Sequence, residues 1–433
     1  MTDTVIIIQP VFKSQALASA YDAAAQIAEA AGLARAIGLA VTETVEVSVT
    51  RPSPATLISS GGVEKGMAVI EPAKPSVVFF NGALSPVQQR NLEKAWNAKV
   101  IDRTGLILEI FADRAQTKEG ALQVELAMLE YLRSRLVKSW THLERQRATG
   151  KTGGPGETQI EIDRRLLDGK MAQIKKQIEH VRNTRDLQRR AREKVPFPLV
   201  AIVGYTNAGK STLFNRLTGA AVLARDMLFA TLDTTSRGLK IPGGRKIILS
   251  DTVGFITDLP TQLVAAFRAT LEQVTQADII LHVQDVSDPN HAKRRKDVLD
   301  ILEEIGVDLQ TAPIIDVFNK VDLLPPEARR NAGSFASRGG HSVNISATDG
   351  QGVEALLLLI KDLLDRDREV HAIKIPVSDG KWLAWLHAHG EVVGNRVRGE
   401  TRYLKVALNE ANFAKYQQTS PHVARPAKKE AWE

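Results

Sequence analysis

The sequence of 433 residues contains no cysteine, only 5% aromatic residues and no long apolar run. The absence of cysteine excludes disulfides and thiolate metal sites, and it fits a reducing compartment. The longest apolar stretch, residues 353–364, is interrupted by three charged residues and is shorter than the roughly 20 residues that span a bilayer. The first residues carry an acid where a signal peptide would carry positive charge. We therefore expect a cytoplasmic protein with no membrane span.

The overall composition is that of an ordinary globular protein. Apolar residues make up 43% of the chain and charged residues 25%, both close to the averages for soluble domains. A chain of this length exceeds what one hydrophobic core holds, since cores stop growing at about 250 to 300 residues. We expect three or four domains.

The formal charge of +7 is concentrated in one segment. Residues 145–194 contain fourteen Lys or Arg against seven Asp or Glu. A charge-rich helix of this kind can be a solvated surface. It can also be the electrostatic footprint of a nucleic-acid binder. Composition alone leaves both interpretations open.

The N-terminal part alternates short β-rich runs with helical stretches, which indicates a small α/β domain over residues 1–115. The expected strands cover residues 5–8, 77–80 and 106–110, and the expected helices cover 14–31 and 85–98. Residues 116–194 follow with two segments of helical spacing, joined by the glycine-rich segment 149–157. Glycine and proline cannot continue a helix, so we expect an antiparallel helical hairpin with an exposed tip. The tip can be a simple connector or a contact site.

Two further domains are expected. Residues 195–368 alternate strand and helix after a break at 196–198, which predicts a P-loop domain with a mostly parallel sheet. Residues 369–433 contain strands at 373–377 and 403–408 and a tryptophan-rich helix near Trp382 and Trp385, which predicts a small α+β domain. We expect the tail from about His422 to be disordered. The fold class is therefore α/β and multidomain.

A phosphate-binding loop follows the apolar run 199–203. The sequence Gly-x4-Gly-Lys-Ser at 204–211 leads into a helical segment, so strand, loop and helix are in the required order. The glycines let backbone N–H groups face the β-phosphate, while the helix N-terminus attracts negative charge. Lys210 is expected to bridge the β- and γ-phosphates as a catalytic residue. The expected phosphate-binding residues are Gly204, Tyr205, Thr206, Asn207, Ala208, Gly209, Lys210, Ser211 and Thr212.

Two further segments are expected to hold Mg²⁺ and the γ-phosphate. Asp251 ends a predicted strand and can hold the water shell of the metal, and Gly254 can offer its N–H to the γ-phosphate. Between the loop and Asp251 lies a switch segment, in which Thr231 is favoured over Thr234 and Thr235 as the residue that closes over Mg²⁺. The expected metal ligands are Ser211, Thr231 and Asp251. The nucleotide-contacting residues in these segments are Phe229, Ala230, Thr231, Leu232, Asp233, Asp251, Thr252, Val253 and Gly254.

The base-recognition motif is Asn-Lys-Val-Asp at 319–322. The Asp322 carboxylate offers two acceptors to the N1–H and exocyclic amine of guanine, whereas adenine presents an acceptor at the same place. A site built on such hydrogen bonds rejects a base that lacks them by factors of about 10⁴ to 10⁵. We therefore expect GTP and GDP as ligands and rejection of ATP. The expected base-binding residues are Asn319, Lys320, Asp322, Ser346, Ala347 and Thr348.

The position after the Asp-x-x-Gly motif is Phe255. Switch GTPases of the Ras type place there a glutamine that orients the attacking water, and phenylalanine cannot do so. We therefore expect slow intrinsic hydrolysis, completed by a partner or an ion. One candidate ion is K⁺, because Asn207 stands where cation-dependent P-loop GTPases carry an asparagine.

These motifs resemble those of the HflX group of translational GTPases. The resemblance rests on residues 204–212, 228–233, 251–255 and 319–322, on Gly-Pro-Gly-Glu-Thr-Gln-Ile-Glu at 154–161 and on residues 84–92. It implies a factor that binds the large ribosomal subunit and its ribosomal RNA and that splits or rescues stalled ribosomes under stress. In that family the N-terminal domain and the hairpin tip reach toward the peptidyl-transferase region. Many members have a glycine run before Gly-Pro-Gly, whereas residues 147–153 here include Arg147 and Lys151, so a stiffer and more basic tip is expected.

Two alternatives stay open at this point. One is a GTPase subunit of an RNA-modification system, and the other is a scaffold that binds GTP with negligible hydrolysis. No sustained heptad pattern occurs, so we expect a monomer.

Overall fold

The structure is a computed structural model that describes residues 3–13, 21–139, 159–192, 197–220, 228–229, 235–257, 273–331, 341–366 and 368–426. Within these ranges the chain forms an N-terminal α/β unit, a pair of long helices, a six-stranded α/β unit and a C-terminal α+β unit. The expected multidomain α/β class is confirmed. No helix in the described ranges is both long and apolar enough to cross a membrane.

The N-terminal unit is a four-stranded parallel sheet in the order β2-β1-β3-β4. Strand β3 is buried at all four positions, as expected of a parallel strand with both faces covered. Helix α1 begins after Asp22, whose side chain accepts from the backbone N–H of Ala25 at 2.7 Å. The elements are β1 Thr4–Phe12, α1 Ala23–Ala36, β2 Ala40–Val49, α2 Ser60–Ala73, β3 Val77–Phe80, α3 Pro86–Trp96, β4 Val100–Asp102 and α4 Arg103–Arg114.

One predicted strand in this unit is wrong. Residues 106–110 lie in helix α4, which Asp102 caps by accepting from the backbone N–H of Gly105 at 2.8 Å. This helix is buried on most of its surface, so five of the six residues 106–111 are apolar and only the exposed Glu109 breaks the run. Such a run does not distinguish a buried helix from a buried strand.

The helical pair comprises α5 Lys118–Ser139 and α6 Gln159–Arg192. Arg133 pairs with Asp168 at 2.9 Å, and Glu130 pairs with Lys175 at 3.4 Å. Residue numbers therefore rise along one helix as they fall along the other, which confirms the antiparallel hairpin. The expected tip lies outside the described residues.

The six-stranded sheet has the order β10-β9-β8-β5-β7-β6, and only β6 runs antiparallel to its neighbour. The carboxyl ends of its central strands therefore meet at one edge, where ligands bind in open α/β sheets. The elements are β5 Leu199–Gly204, α7 Lys210–Thr218, β6 Thr235–Lys240, β7 Lys246–Asp251, β8 Ile279–Asp285, α8 His291–Glu304, β9 Ile314–Asn319, α9 Pro326–Asn331, β10 His341–Asn344 and α10 Val353–Asp365.

The C-terminal unit is an antiparallel sheet in the order β12-β13-β11-β14, with two helices on one face. The expected disorder from His422 is wrong for residues 422–426, because Ala424–Pro426 pairs with β11 and His422 Nε2 lies 2.7 Å from Asp379 Oδ2. The elements are β11 Arg368–Pro376, α11 Gly380–His389, β12 Glu391–Arg398, β13 Thr401–Asn409, α12 Glu410–Thr419 and β14 Ala424–Pro426.

The N-terminal unit and the six-stranded unit share one hydrophobic core. The rings of Phe111 on α4 and Phe229 meet edge to face with centroids 4.7 Å apart. A Cβ added to Gly32 on α1 would lie 2.9 Å from the side chain of Leu228, so helix and segment touch closely. The beginning of the expected switch segment therefore packs against the N-terminal unit.

Candidate GTP-binding site

The phosphate-binding loop has the geometry that its glycines predict. Gly204 at the end of β5 has φ +149°, and a Cβ there would lie 2.2 Å from the carbonyl oxygen of Val283 on β8. Gly209 has φ +91°, and a Cβ there would lie 2.2 Å from the side-chain nitrogen of Asn319. A side chain at either position would thus collide with a neighbouring strand end or with the base-recognition motif. Asn207 also takes a positive φ of 60°, in which Asn is among the best tolerated residues.

Lys210 begins helix α7 and points back into the loop. Its ammonium is buried and donates to the backbone carbonyl of Tyr205 at 2.8 Å. Burial lowers the pKa of Lys210 to about 8, and the charge of Asp251 offsets part of this effect. A polyphosphate in the loop would favour the charged ammonium, so the residue is suited to bridge phosphates as expected.

The two predicted magnesium ligands in the described ranges lie together. Ser211 Oγ donates to Asp251 Oδ2 at 2.8 Å, although 40 residues separate them. Asp251 is fully buried at the end of β7. A hydroxyl and a carboxylate are the hard oxygen donors that Mg²⁺ prefers, so these residues fit the ion. Thr231, the third predicted ligand, lies outside the described residues.

The segment after Asp251 packs against the phosphate loop. Thr252 Oγ1 donates to the carbonyl of Ile202 at 2.6 Å. Phe255 donates its N–H to the Gly204 carbonyl at 3.1 Å and accepts from the Thr206 N–H at 2.7 Å. The Phe255 side chain is 2% exposed and lies in the shared core, so it does not serve to orient a water.

Gly254 lies directly against Lys210. A Cβ at this position would lie 2.8 Å from Thr206 Cγ2 and 2.9 Å from Lys210 Nζ. The absence of a side chain therefore lets this backbone approach Thr206 and Lys210 closely. Val253, the preceding residue, is buried in the shared core.

Asn319 joins the base-recognition motif to the phosphate loop. Its amide donates to the Ala208 carbonyl at 2.8 Å, and its oxygen accepts from the Ala347 N–H at 2.9 Å. Lys320 pairs with Asp285 at 2.7 Å. Three segments distant in sequence are thereby held at one sheet edge.

Asp322 lies in the short turn of residues 321–323 that follows β9. Arg329 donates to the backbone carbonyls of Val321, at 3.0 Å, and of Asp322, which holds the turn that carries this carboxylate. Among the described residues, Asp322 Oδ1 is buried without a hydrogen-bond partner. Leaving a buried acceptor without a hydrogen bond costs free energy unless a ligand donates to it, as the N–H groups of guanine would.

The segment 346–348 braces the same pocket. Ser346 Oγ lies 3.0 Å from Thr348 Oγ1 and accepts from the Asp349 N–H at 3.1 Å. Arg216 donates to the Ala347 carbonyl at 2.6 Å, which sequence reasoning missed because no motif marks that arginine.

A second feature missed from the sequence links the phosphate loop to the N-terminal unit. The phenol of Tyr205 hydrogen-bonds the carboxylate of Glu29 on α1, and it accepts from the Thr257 N–H at 2.8 Å. Arg103 pairs with the same carboxylate and donates to the Thr257 carbonyl at 2.9 Å. Burial, followed by the charge of Glu29, raises the pKa of Tyr205, so the phenol stays protonated and donates. The phosphate loop, the segment after Gly254 and the N-terminal unit therefore meet in one hydrogen-bonded cluster.

The remaining predicted residues are only partly described. Phe229 is buried against Phe111, so its side chain supports the domain contact. Ala230, Leu232 and Asp233 lie outside the described residues, as does Thr231. Thr212 lies on the first turn of α7 behind Ser211.

A Gly-x4-Gly-Lys-Ser loop, a paired Ser211 and Asp251, and an Asn-Lys-x-Asp turn on successive strand ends define a P-loop GTPase. Three family models match the chain: "GTP-binding GTPase N-terminal" over residues 24–112, "GTP-binding GTPase Middle Region" over 114–192 and "50S ribosome-binding GTPase" over 199–320. None of these three matches extends past residue 320.

Named relatives agree with these matches. The chain is 51% identical over 386 residues to the GTPase HflX of Magnetococcus marinus, covering 89% of this chain and 88% of that protein. It is 43% identical over 352 residues to the GTPase HflX of Escherichia coli, covering 81% of each. A crystal structure of a protein named SsGBP in complex with GDP is 24% identical, has a TM-score of 0.49 and covers 84% of this chain and 98% of that one.

The protein belongs to the HflX family of GTPases, as its motifs indicate. It binds guanine nucleotides and hydrolyses GTP. Magnesium dependence is general among P-loop GTPases, and Ser211 and Asp251 would hold the ion here.

Proposed function

We propose that this protein is a GTP-controlled factor that binds the large ribosomal subunit and dissociates or rescues stalled ribosomes under stress. The observation that carries the proposal is the exposed basic surface of α6, in a chain that belongs to the HflX family. Arg164, Lys170 and Lys176 are exposed at different positions around this helix, and exposed cations bind phosphate backbones. The family model that matches residues 199–320 is described as a 50S ribosome-binding GTPase, which supports the same partner.

We further propose that residues 1–115 and 116–194 act as the RNA-contacting domains, residues 195–368 as the G domain and residues 369–433 as an appended domain. The cluster formed by Glu29, Tyr205 and Thr257 would let the N-terminal domain respond to the nucleotide. The protein would act as a cytoplasmic monomer.

Hydrolysis is proposed to be slow in the isolated protein and stimulated by the ribosome. Phe255 is buried and leaves the water-orienting function to another group. Completing such a site is worth about 10³ to 10⁵ in rate, or about 4 to 7 kcal/mol of barrier.

Potassium is proposed as one contributor to hydrolysis, through Asn207 in the phosphate loop. Asn207 is exposed and takes a positive φ, so its side chain stands at the mouth of the loop. Comparing GTP turnover in KCl and NaCl at equal ionic strength tests this, and equal rates would remove potassium from the proposal.

The main test is GTP turnover with and without purified large subunits. Strong stimulation supports the proposal, stimulation by transfer RNA alone would indicate an RNA-modification system, and no turnover under any condition would indicate a scaffold. A charge-reversed variant of α6, R164E with K170E and K176E, should lose stimulation while keeping its basal rate. The matched control is K246E with K296E, two exposed lysines of the G domain, which should be stimulated normally.

A further inference from the structure

The C-terminal unit has a topology that neither nucleotide binding nor the basic surface of α6 explains. Its elements follow one another as strand, helix, strand, strand, helix, strand, with β13 and β11 at the centre of the sheet. This is the split β-α-β arrangement, in which the helices cover one face and leave the other open. RNA-recognition domains use that open face, with aromatic residues on the two central strands.

Burial identifies which face is covered. The side chains of Ile373, Ile375, Leu404 and Val406 are buried together with Trp382 and other residues of the two helices. Successive residues of a strand point to opposite faces, so the residues between them lie on the open face.

The open face carries an aromatic residue between two cations. Tyr403 on β13 lies opposite Lys374 on β11 and opposite Arg396 on β12, so the three form one cross-strand row. Lys374 Nζ lies 5.3 Å from the centre of the Tyr403 ring. Both cations are exposed, whereas the ring is half-buried and held by its neighbours.

The rows on either side extend the positive charge. Lys405 occupies the next row, opposite Ala372 and Gly394, and Arg398 lies opposite Thr401 in the row beyond Tyr403. Glu391, opposite Ala407, bounds the surface at its far end. We call Lys374, Arg396, Arg398, Tyr403 and Lys405 the basic sheet face.

This combination matches the chemistry of a single-stranded polynucleotide. Cations neutralise phosphates, while an aromatic ring stacks on a base, and stacking requires bases that are not already paired. A duplex would offer the phosphates but no free base face. We propose that the basic sheet face binds single-stranded RNA, with one base stacked on Tyr403. This contact is separate from the one proposed for α6.

The test uses the full-length protein with GDP and a fluorescein-labelled ten-nucleotide oligouridylate, measured by anisotropy. Removing one stacking ring costs about 1 to 3 kcal/mol, so Tyr403→Ala should weaken binding by about tenfold, and Tyr403→Phe, which keeps the ring, should bind normally. Lys374→Ala with Arg396→Ala should also weaken binding and reduce the salt slope by about 0.7 for each phosphate that the protein no longer neutralises. The matched control, Lys381→Ala with Lys415→Ala, removes two exposed lysines from the helical face and should leave binding unchanged.

Two further measurements separate this proposal from binding by α6. Oligouridylate containing 4-thiouridine should crosslink to Tyr403, and basal GTP turnover should be the same in every variant. Wild-type affinity in Tyr403→Ala and in the double cation variant, or crosslinks confined to α6, would overturn the proposal. The proposal would also be overturned if these variants bound large subunits more weakly but kept wild-type affinity for oligouridylate. The basic sheet face would then contact protein.

Discussion

The side-chain amide of Asn319 donates to the carbonyl of Ala208 in the phosphate loop at 2.8 Å. The same side chain accepts from the N–H of Ala347 at 2.9 Å. One buried amide therefore sets the distance between the segments that hold the phosphates and the base. Both restraints exist in the protein itself, so the site is largely organised before the nucleotide arrives.

Replacing Asn319 by alanine should weaken GTP binding by about tenfold to a hundredfold. The substitution leaves the Ala208 carbonyl and the Ala347 N–H without these partners, so the phosphate loop and the base-recognition motif are no longer held together, and the expected loss corresponds to about 1.4 to 2.7 kcal/mol of binding free energy. Isothermal titration with GDP and GTP measures the loss. Asn183→Ala, an exposed asparagine on α6, is the control. Wild-type affinity in Asn319→Ala would show that the amide does not organise the site.

Replacing Gly254 by alanine should slow hydrolysis by roughly a hundredfold while GDP affinity stays near the wild-type value. The new Cβ would push against Thr206 and Lys210, which displaces groups at the γ-phosphate, and small misplacements have effects of this order. Single-turnover hydrolysis and GDP titration separate the two effects. Gly238→Ala is the matched control, because a Cβ there meets nothing within 4 Å. Equal losses of GDP and GTP affinity would contradict this role.

Replacing Tyr205 by phenylalanine should uncouple the N-terminal unit from the phosphate loop. The change removes the hydrogen bond to Glu29 and the acceptor for the Thr257 N–H, at about 1 to 3 kcal/mol in the free energy of unfolding. Tyr131→Phe also removes a phenol that donates to a carboxylate, Asp102, but this bond does not involve Tyr205, Glu29 or Thr257. Urea unfolding should show that both variants are destabilised, whereas only Tyr205→Phe should change GTP turnover. A change in GTP turnover of equal size in both variants would contradict a specific coupling between the N-terminal unit and the phosphate loop.

His282 on β8 should make stability fall in mild acid. Burial lowers its pKa from the ordinary value of 6.5, and the hydrogen bond and charge of Asp316 offset only part of this shift. Between the folded-state pKa and 6.5 the unfolded chain binds a proton that the folded chain does not, so the free energy of unfolding falls as pH falls. The slope should reach at most about 1.4 kcal/mol per pH unit. In urea unfolding across mildly acidic to neutral pH, His282→Gln should show a shallower dependence, and exposed His387→Gln should follow the wild type.

The sequence predicts where the loop and the strand ends of the nucleotide motifs lie because each motif fixes its own local geometry. Gly204 and Asp251 end parallel strands, which bring them to the same edge of the sheet, and Lys210 and Ser211 begin the helix that follows the loop. Contacts between distant segments carry no such local pattern. Glu29 and Tyr205 are 176 residues apart, so nothing in either segment reveals their hydrogen bond.

The errors in the fold have a similar origin. The sequence of helix α4 predicts a strand because the helix is buried on most sides, so its apolar run is short, is broken only by Glu109 and resembles a buried strand. Strand β14 escapes sequence reasoning because three residues at an edge give no pattern, and its pairing with β11 is what orders it.

The central claim is that Asp322 selects guanine. Replacing Asp322 by asparagine turns one carboxylate acceptor into an N–H donor. That donor opposes the exocyclic amine of guanine, but it matches the carbonyl that xanthine carries at the same ring position. Titration of Asp322→Asn should show GTP affinity reduced at least about a hundredfold and XTP affinity raised above it. Wild-type GTP affinity in this variant, or equal binding of ATP and GTP by the unaltered protein, would contradict the account.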